Sequence, residues 1–313
     1  MHTLAVVLDA PERIAISEVS LTAPGPADVV VDVEWSGIST GTEKLLWSGR
    51  MPTFPGMGYP LVPGYESVGR IVSAPAGIKN RVGERVFVGG ARCFENVRAL
   101  FGGAAHRLVI PADKAIAIEH DLGERGVLIA LAATAHHALT LSGTSLPELI
   151  VGHGVLGRLC ARLVTALGGN APTVWDNDST RRNGATEYTV VSPEDDQRRD
   201  YATILDVSGD PSILDRLTAR LAPRGEIVLA GFYDQPLSFS FAPAFMREAR
   251  FRIAAEFKPD DVAAVNALIA RGTLSLDNLI THRSPADAAP DAYRTAFADR
   301  SCLKMILDWR TLQ

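Results

Sequence analysis

Leu149-Ile150-Val151-Gly152-His153-Gly154-Val155-Leu156-Gly157 decides how the rest of this 313-residue sequence is organised. The three apolar residues read as a short buried strand, and the glycine-spaced turn after them leads into a helix predicted over 158–167. Gly152 permits the tight turn, Gly154 lets the backbone come close to a phosphate, and Gly157 allows helix and strand to pack closely. Val155 and Leu156 lead into that helix, whose N-terminal N–H groups suit an anion. The next predicted strand, Thr173-Val174-Trp175, ends at Asp176, 24 residues beyond Gly152. A carboxylate there accepts hydrogen bonds from ribose hydroxyls and repels a 2′-phosphate. In this context the turn reads as a dinucleotide site that favours NAD over NADP. Arg181 and Arg182 act against that preference, and Arg181 is counted among the cofactor-binding candidates. The alternative reading is a structural turn with a capping aspartate.

Downstream the pattern alternates: a strand over 201–207, a helix over 213–222, and a strand at Ile227-Val228-Leu229. Strands alternating with helices imply a doubly wound parallel sheet. Ser208-Gly209 and Gly231-Phe232-Tyr233 follow the fourth and fifth strands at the carboxyl edge, where ligands meet such a sheet. Ser208, Gly231 and Phe232 are therefore expected to line the cofactor cleft. The segment 176–205 is short, which predicts a reduced or missing helix on one face. Upstream, residues 1–120 carry β-branched runs such as Val29-Val30-Val31-Asp32-Val33 and Arg85-Val86-Phe87-Val88 between Gly and Pro, the rhythm of a β-rich domain. Residues 126–141 are rich in Ala and Leu at helical spacing. The tail holds helices over 260–270 and about 291–297 and a closing strand over 303–309.

Composition bounds the function class. Lys and Arg number 31 against 36 Asp and Glu, with no basic run to track a phosphate backbone, so nucleic acid is an unfavoured partner. No apolar stretch is long enough for a membrane anchor, and the N-terminus reads as a strand. Cys93, Cys160 and Cys302 form no Cys-x-x-Cys pair, which fits a reducing cytoplasm.

Gly37-Ile38-Ser39, Pro63-Gly64-Tyr65-Glu66, Gly102-Gly103-Ala104-Ala105, the glycine turn and Leu279-Ile280-Thr281-His282 come in the order seen in medium-chain dehydrogenases, which the sequence resembles over nearly its whole length. The resemblance implies an α/β protein: a GroES-like β-rich catalytic domain (1–120 and 258–313) plus a Rossmann domain with the doubly wound parallel sheet (121–257). More narrowly, the stretches 39–52, 54–66, 243–250 and 302–309 resemble the bacteriochlorophyllide dehydrogenases. Those enzymes oxidise a 3-(1-hydroxyethyl) side chain to 3-acetyl with NAD. A bacteriochlorophyllide, a magnesium tetrapyrrole, is thus the implied substrate, and a homodimer through the Rossmann sheet edge is the family expectation.

The positions matching the catalytic zinc ligands of relatives are Ser39 or Thr40, Tyr65 and about Ala130. None is a good zinc donor, and the four-cysteine lobe of structural zinc is absent, so a metal-free site is expected. Thr42 matches the hydroxyl residue that bonds the substrate oxygen in relatives and is the first choice for a proton relay; its alternative is a helix N-cap. Tyr65 and Glu66 are expected at the same pocket, with Glu43 and His136 as further candidates for the base. Glu66 has the alternative of a structural partner for a basic group. His136 and His137 are adjacent on a helix, so at most one is expected to face the cleft. A flat macrocycle needs a broad apolar surface: Leu45, Leu46, Trp47, Met51, Phe54, Met57 and Tyr59 either supply it or pack the interior. Lys44, Trp47, Arg50 and Tyr59 are the substrate-binding candidates, Lys44 or Arg50 for the propionate. Two other functions compete with the dehydrogenase: a zinc-free NAD(P)H-dependent reductase of enones or quinones, and a non-catalytic tetrapyrrole carrier.

Overall fold

The computed structural model describes residues 1–52, 56–141, 145–185 and 187–312. The chain divides into two compact units, Met1–Ala130 with Asp277–Gln313, and Leu131–Leu276. Among the described residues the helices are α1 (Thr42–Trp47), α2 (Ile129–Thr140), α3 (Val155–Ala166), α4 (Leu214–Thr218), α5 (Phe241–Met246), α6 (Pro259–Ala270) and α7 (Ala289–Ala298). None is long and apolar enough to cross a membrane.

The first unit is built on the long strand Asp28–Ile38. Its Val-rich inner face and both its edges are used. It pairs antiparallel with Ser67–Ser73, with Arg107–Pro111 and with the closing strand Met305–Asp308, within a seven-stranded sheet. Burying β-branched side chains on a pleated surface is what such a strand does best. Val29, Val31, Val33, Ile38, Val86, Leu108, Leu307 and Trp309 sit in one core. A second sheet pairs His2–Ala10 with Arg13–Ser20, and Leu61–Val62 extends it.

The second unit holds the predicted parallel sheet. Its six strands run in the order Thr189–Val191, Thr173–Trp175, Leu149–Val151, Tyr201–Asp206, Leu221–Leu229, Arg250–Ile253, and every pair is parallel. The chain crosses from one side of Leu149–Val151 to the other between Trp175 and Tyr201, the switch point at which such sheets bind ligands. No helix occurs among the described residues between Asp176 and Tyr201, in line with the shortness of that segment. What fills the space is polar: buried Asp196 accepts hydrogen bonds from Trp175 Nε1 (2.7 Å) and the Tyr201 hydroxyl (2.7 Å), and Arg220 stacks over the Trp175 ring.

One expectation changes. The helix expected over 213–222 is confined to α4, because Leu221 already enters the sheet opposite Tyr201 and the strand then bulges at Arg224, whose φ is 60°. The compact units divide at 130/131 and 276/277, where the GroES-like and Rossmann domains were expected to divide at 120 and 258. α6 belongs with the sheet unit because it is tied to α2. His136 and His137 both donate from Nδ1 to Asp261, one to each carboxylate oxygen, at 2.7 and 2.9 Å. Side chains about 100° apart around one helix therefore converge on a single acceptor. Asp261 also takes the Lys258 amide at 2.8 Å, closing the first turn of α6 behind Pro259.

Burial pushes the Asp261 carboxyl up, but the hydrogen bonds from His136, the Lys258 amide and His137 outweigh it and hold its pKa below the usual value. A carboxyl depressed in the folded state contributes stability that is present above its unfolded pKa and is lost as pH falls through the folded value. Asp261→Ala is expected to lower the free energy of unfolding in urea by about 2–3 kcal/mol near neutral pH. The deficit should shrink as the titration is repeated at progressively lower pH.

Candidate active site

The glycine turn sits between the parallel strand Leu149–Val151 and α3, and each glycine has a distinct reason. Gly152 has φ +104°, a backbone conformation that a side chain resists, and a Cβ there would press on Ser208 Cα at 3.2 Å. At Gly157 a Cβ would lie 1.8 Å from the Gly152 carbonyl oxygen, so helix and turn can touch only at glycine. Gly154 is the N-cap of α3, and a Cβ there would meet nothing within 4 Å. The open space beside that backbone, with the free N–H groups of the helix start, fits a dinucleotide pyrophosphate. Val155 and Leu156 begin α3 itself, three residues earlier than expected.

Asp176 ends the adjacent strand and is pinned by backbone: Oδ2 accepts the His153 amide and Oδ1 the Asp178 amide, both at 2.8 Å. His153 is fully buried beneath the turn. Its Nδ1–H donates to the Arg181 carbonyl at 2.5 Å, so Nε2 accepts from the Tyr188 hydroxyl at 2.8 Å. Burial lowers its pKa to about 4, which keeps the ring neutral in that tautomer. Arg181 thus meets the turn through its main chain, its carbonyl also taking Arg158 at 3.0 Å. At the carboxyl edge, Ser208 and Gly231 flank buried Asp206, which accepts the Ser208 amide at 2.9 Å and the Tyr233 hydroxyl at 2.6 Å. Asp206 joins these two loops and was not singled out from sequence; Phe232, beside them, is exposed.

In the first unit the residues around the expected zinc-ligand positions form a buried network. The Tyr65 hydroxyl donates to Ser39 Oγ at 2.8 Å and is also hydrogen-bonded by Thr42. Burial, reinforced by the charge of Glu66, holds that phenol protonated well above its ordinary range. Thr42 is the first residue of α1; its N-cap is Gly41 and no side chain caps it, so the capping alternative does not hold. Glu66 is fully buried and forms an ion pair with the equally buried Lys304, whose Nζ lies 2.6 Å from Oε2 and 2.9 Å from Oε1 and also donates to the Ile38 carbonyl. Gly37 makes room: a Cβ there would lie 2.0 Å from Glu66 Oε2. Glu66 is therefore held in the ion-paired role. His136 belongs to the other unit, where its Nδ1 is committed to Asp261. Ser39, Thr40, Tyr65 and Ala130 offer no imidazole, thiolate or carboxylate, and no group of three or more His, Cys, Asp or Glu among the described residues is arranged to hold a metal. The residues do not fit a zinc ion.

The apolar run after α1 divides. Leu45, Leu46 and Met51 are buried in a core with Leu8, Leu61 and Leu100, and Trp47, Met57 and Tyr59 pack against it. Phe54 lies outside the described residues. The Tyr59 hydroxyl bonds the Leu46 carbonyl. Lys44 donates to the Phe297 carbonyl at 3.0 Å, and the Trp47 ring packs tilted against Phe297. Of the four substrate-binding candidates Arg50 alone is exposed, at the end of the helical turn.

Comparison with known proteins adds the following. Residues 25–120 match the alcohol dehydrogenase GroES-like domain family. The chain is 56% identical, over 99% of its length and 99% of theirs, to the 2-desacetyl-2-hydroxyethyl bacteriochlorophyllide A dehydrogenases of Cereibacter sphaeroides and Rhodobacter capsulatus. Its fold matches the short chain alcohol dehydrogenase RspB of E. coli CFT073, solved with NADH, with a TM-score of 0.83 at 22% identity, covering 98% of this chain and 99% of that one.

Removing one partner of a buried ion pair strands the other charge, which costs more than the pair contributes. Lys304→Met alone is expected to destabilise the first unit by about 3–5 kcal/mol. Combining it with Glu66→Gln should recover most of that loss, as read from chemical denaturation of the single and double variants.

Proposed function

Because the chain belongs to the family of the 2-desacetyl-2-hydroxyethyl bacteriochlorophyllide A dehydrogenases, in the medium-chain dehydrogenase/reductase superfamily, we propose that it oxidises the 3-(1-hydroxyethyl) group of a bacteriochlorophyllide to 3-acetyl, using NAD and no metal. The observation that carries this reading is the identity of 56% sustained from end to end, which spans the glycine turn and the Thr42–Tyr65 region together. Held at the turn, NAD would supply the acceptor for the hydride that leaves the carbinol carbon. Gly152, Gly154, Val155, Leu156 and Gly157 would hold the pyrophosphate, Asp176 the adenosine ribose, and Ser208, Gly231 and Phe232 the far end of the cofactor. The fixed carboxylate of Asp176 supports NAD over NADP, since a 2′-phosphate would meet a negative charge that two amides keep in place.

The proton of the alcohol needs a separate route. Thr42 and the neutral Tyr65 phenol form a linked hydroxyl pair suited to bonding the substrate oxygen and relaying its proton towards solvent. The carbinol carbon of this substrate is attached to a conjugated macrocycle that spreads developing positive charge, so less alkoxide character is required before the hydride leaves. That feature of the substrate supports catalysis without a Lewis acid. Arg50 is our candidate for the propionate, with Trp47 and Tyr59 shaping the apolar surface and Lys44 fixing α1. Exposed Ile253 on the edge strand Arg250–Ile253, with exposed Phe241, Phe245 and Met246 on the preceding α5, supports a homodimer through that edge.

Anaerobic turnover of metal-analysed protein with NAD and a 3-(1-hydroxyethyl) bacteriochlorophyllide tests the reading. NADH and the 3-acetyl product are expected to form in equal amounts and to persist after chelation. Pigment binding without NADH would mean a carrier, and turnover of small enones by NADPH instead would mean a reductase. Tyr65→Phe is expected to reduce turnover by about 10²–10⁴-fold with the dinucleotide Kd unchanged.

A further inference from the structure

Glu43 is fully buried, yet neither of its oxygens meets a cation within hydrogen-bonding distance among the described residues. Oε1 accepts the Ser39 amide at 3.0 Å, and Oε2 accepts the Tyr293 hydroxyl of α7 at 2.5 Å. Ser39 in turn receives the Tyr65 hydroxyl on Oγ at 2.8 Å. A chain of contacts thus runs from α7 through Glu43 and Ser39 to the proposed relay. Among the described residues the one buried ammonium nearby, Lys304, is committed to Glu66 and the Ile38 carbonyl. A carboxylate without a cation is an expensive group to bury; its two oxygens accept from both donors as they stand, whereas a glutamine would accept on one side and present an NH2 on the other.

We propose that Glu43 is a positioning residue for proton transfer: in its ionised form it fixes Ser39, and through Ser39 the Tyr65 hydroxyl, so that the state of this one carboxyl governs how well the relay is held. The proposal rests on the dehydrogenase reading above for the reaction it serves. Ionised Glu43 can accept from both donors at once. A proton on Oε1 would oppose the Ser39 amide, and a proton on Oε2 would force the Tyr293 hydroxyl to turn round, so protonation disturbs the chain on either side.

The groups facing Glu43 agree on where this change falls. Burial dominates and raises its pKa to about 7; the Tyr293 and Ser39 hydrogen bonds lower it, the Glu66 charge raises it, and Lys304 lowers it. Tyr65 and Tyr293, both held far above their usual range by burial, remain neutral and do not titrate alongside it. The ionised form therefore fills as pH rises through about 7, and alcohol oxidation should rise with it.

The test uses the full chain. The pH profile of kcat for bacteriochlorophyllide oxidation is expected to show a rising limb near neutrality in the unaltered protein and to lose that limb in Glu43→Gln. Tyr293→Phe deletes a hydrogen bond to the charged form, so the limb should move upward by about one to two pH units. A limb unchanged in both variants overturns the proposal. An infrared pH titration gives a readout independent of turnover: a buried carboxylic-acid band should disappear above neutrality, and Tyr293→Phe should delay its loss to higher pH. Absence of any such titrating band in the unaltered protein overturns the proposal even if Glu43→Gln fails to fold. If the band titrates and shifts as expected while bacteriochlorophyllide is not oxidised, the dehydrogenase reading fails and the account of Glu43 ionisation stands.

Discussion

An ammonium group buried as deeply as that of Lys304 can remain charged only against a partner as buried as itself, and that partner is Glu66, 238 residues away. The pairing brings the closing strand Met305–Asp308 against Asp28–Ile38 and constrains what lies around it. Gly37 has no side chain because the Glu66 carboxylate occupies its place. The Ile38 carbonyl turns to the same ammonium, so the chain leaves the strand at Ser39 in a fixed direction. Tyr65 precedes Glu66 directly and is carried by the same anchor. The hydroxyl network of Ser39, Thr42 and Tyr65 therefore rests on an ion pair that takes no direct part in it.

The second unit solves a different problem. Its parallel sheet needs close approach between turn and helix, and this is achieved by omitting side chains at Gly152 and Gly157 and by filling the space below the turn with a neutral histidine. His153 makes two directed contacts, to Arg181 and Tyr188, and these hold the loop after Asp176, where no helix occurs among the described residues. Asp196 with Trp175, Tyr201 and Arg220 does the same further along. In each case a short connection is tied down by a buried polar side chain, His153 or Asp196, that is itself hydrogen-bonded, which is the condition under which such groups stabilise.

Family membership and this geometry bear on different questions. The two bacteriochlorophyllide dehydrogenase relatives carry the nature of the substrate. The structure bears on how a chain of this family presents hydroxyl groups where zinc-bearing relatives are expected to present ligands. At those positions it offers Ser39 or Thr40, Tyr65 and Ala130; around Ser39 and Tyr65 stand the Glu66–Lys304 ion pair, a Glu43 carboxylate with no cation in hydrogen-bonding distance among the described residues, and Tyr293, held neutral like Tyr65 by burial.

The sequence by itself determined what depends on neighbours along the chain. Gly152 to Gly157 with Asp176 identified the turn, alternating strands and helices identified the parallel sheet, and the short segment before Tyr201 announced a reduced or missing helix, none occurring there among the described residues, because period and spacing are local properties. Resemblance extended this to the β-rich unit and to the family. What only the tertiary structure decided were pairings between distant residues. Whether Glu66 was a base or a structural partner turned on Lys304, and whether His136 and His137 diverged turned on Asp261, 124 residues beyond His137. Whether Leu45, Leu46 and Met51 lined a cleft or filled a core turned on Leu8, Leu61 and Leu100. No local pattern encodes these, since a side chain's role is set by what packs on it, and its partners come from strands and helices whose order in space differs from their order in the chain.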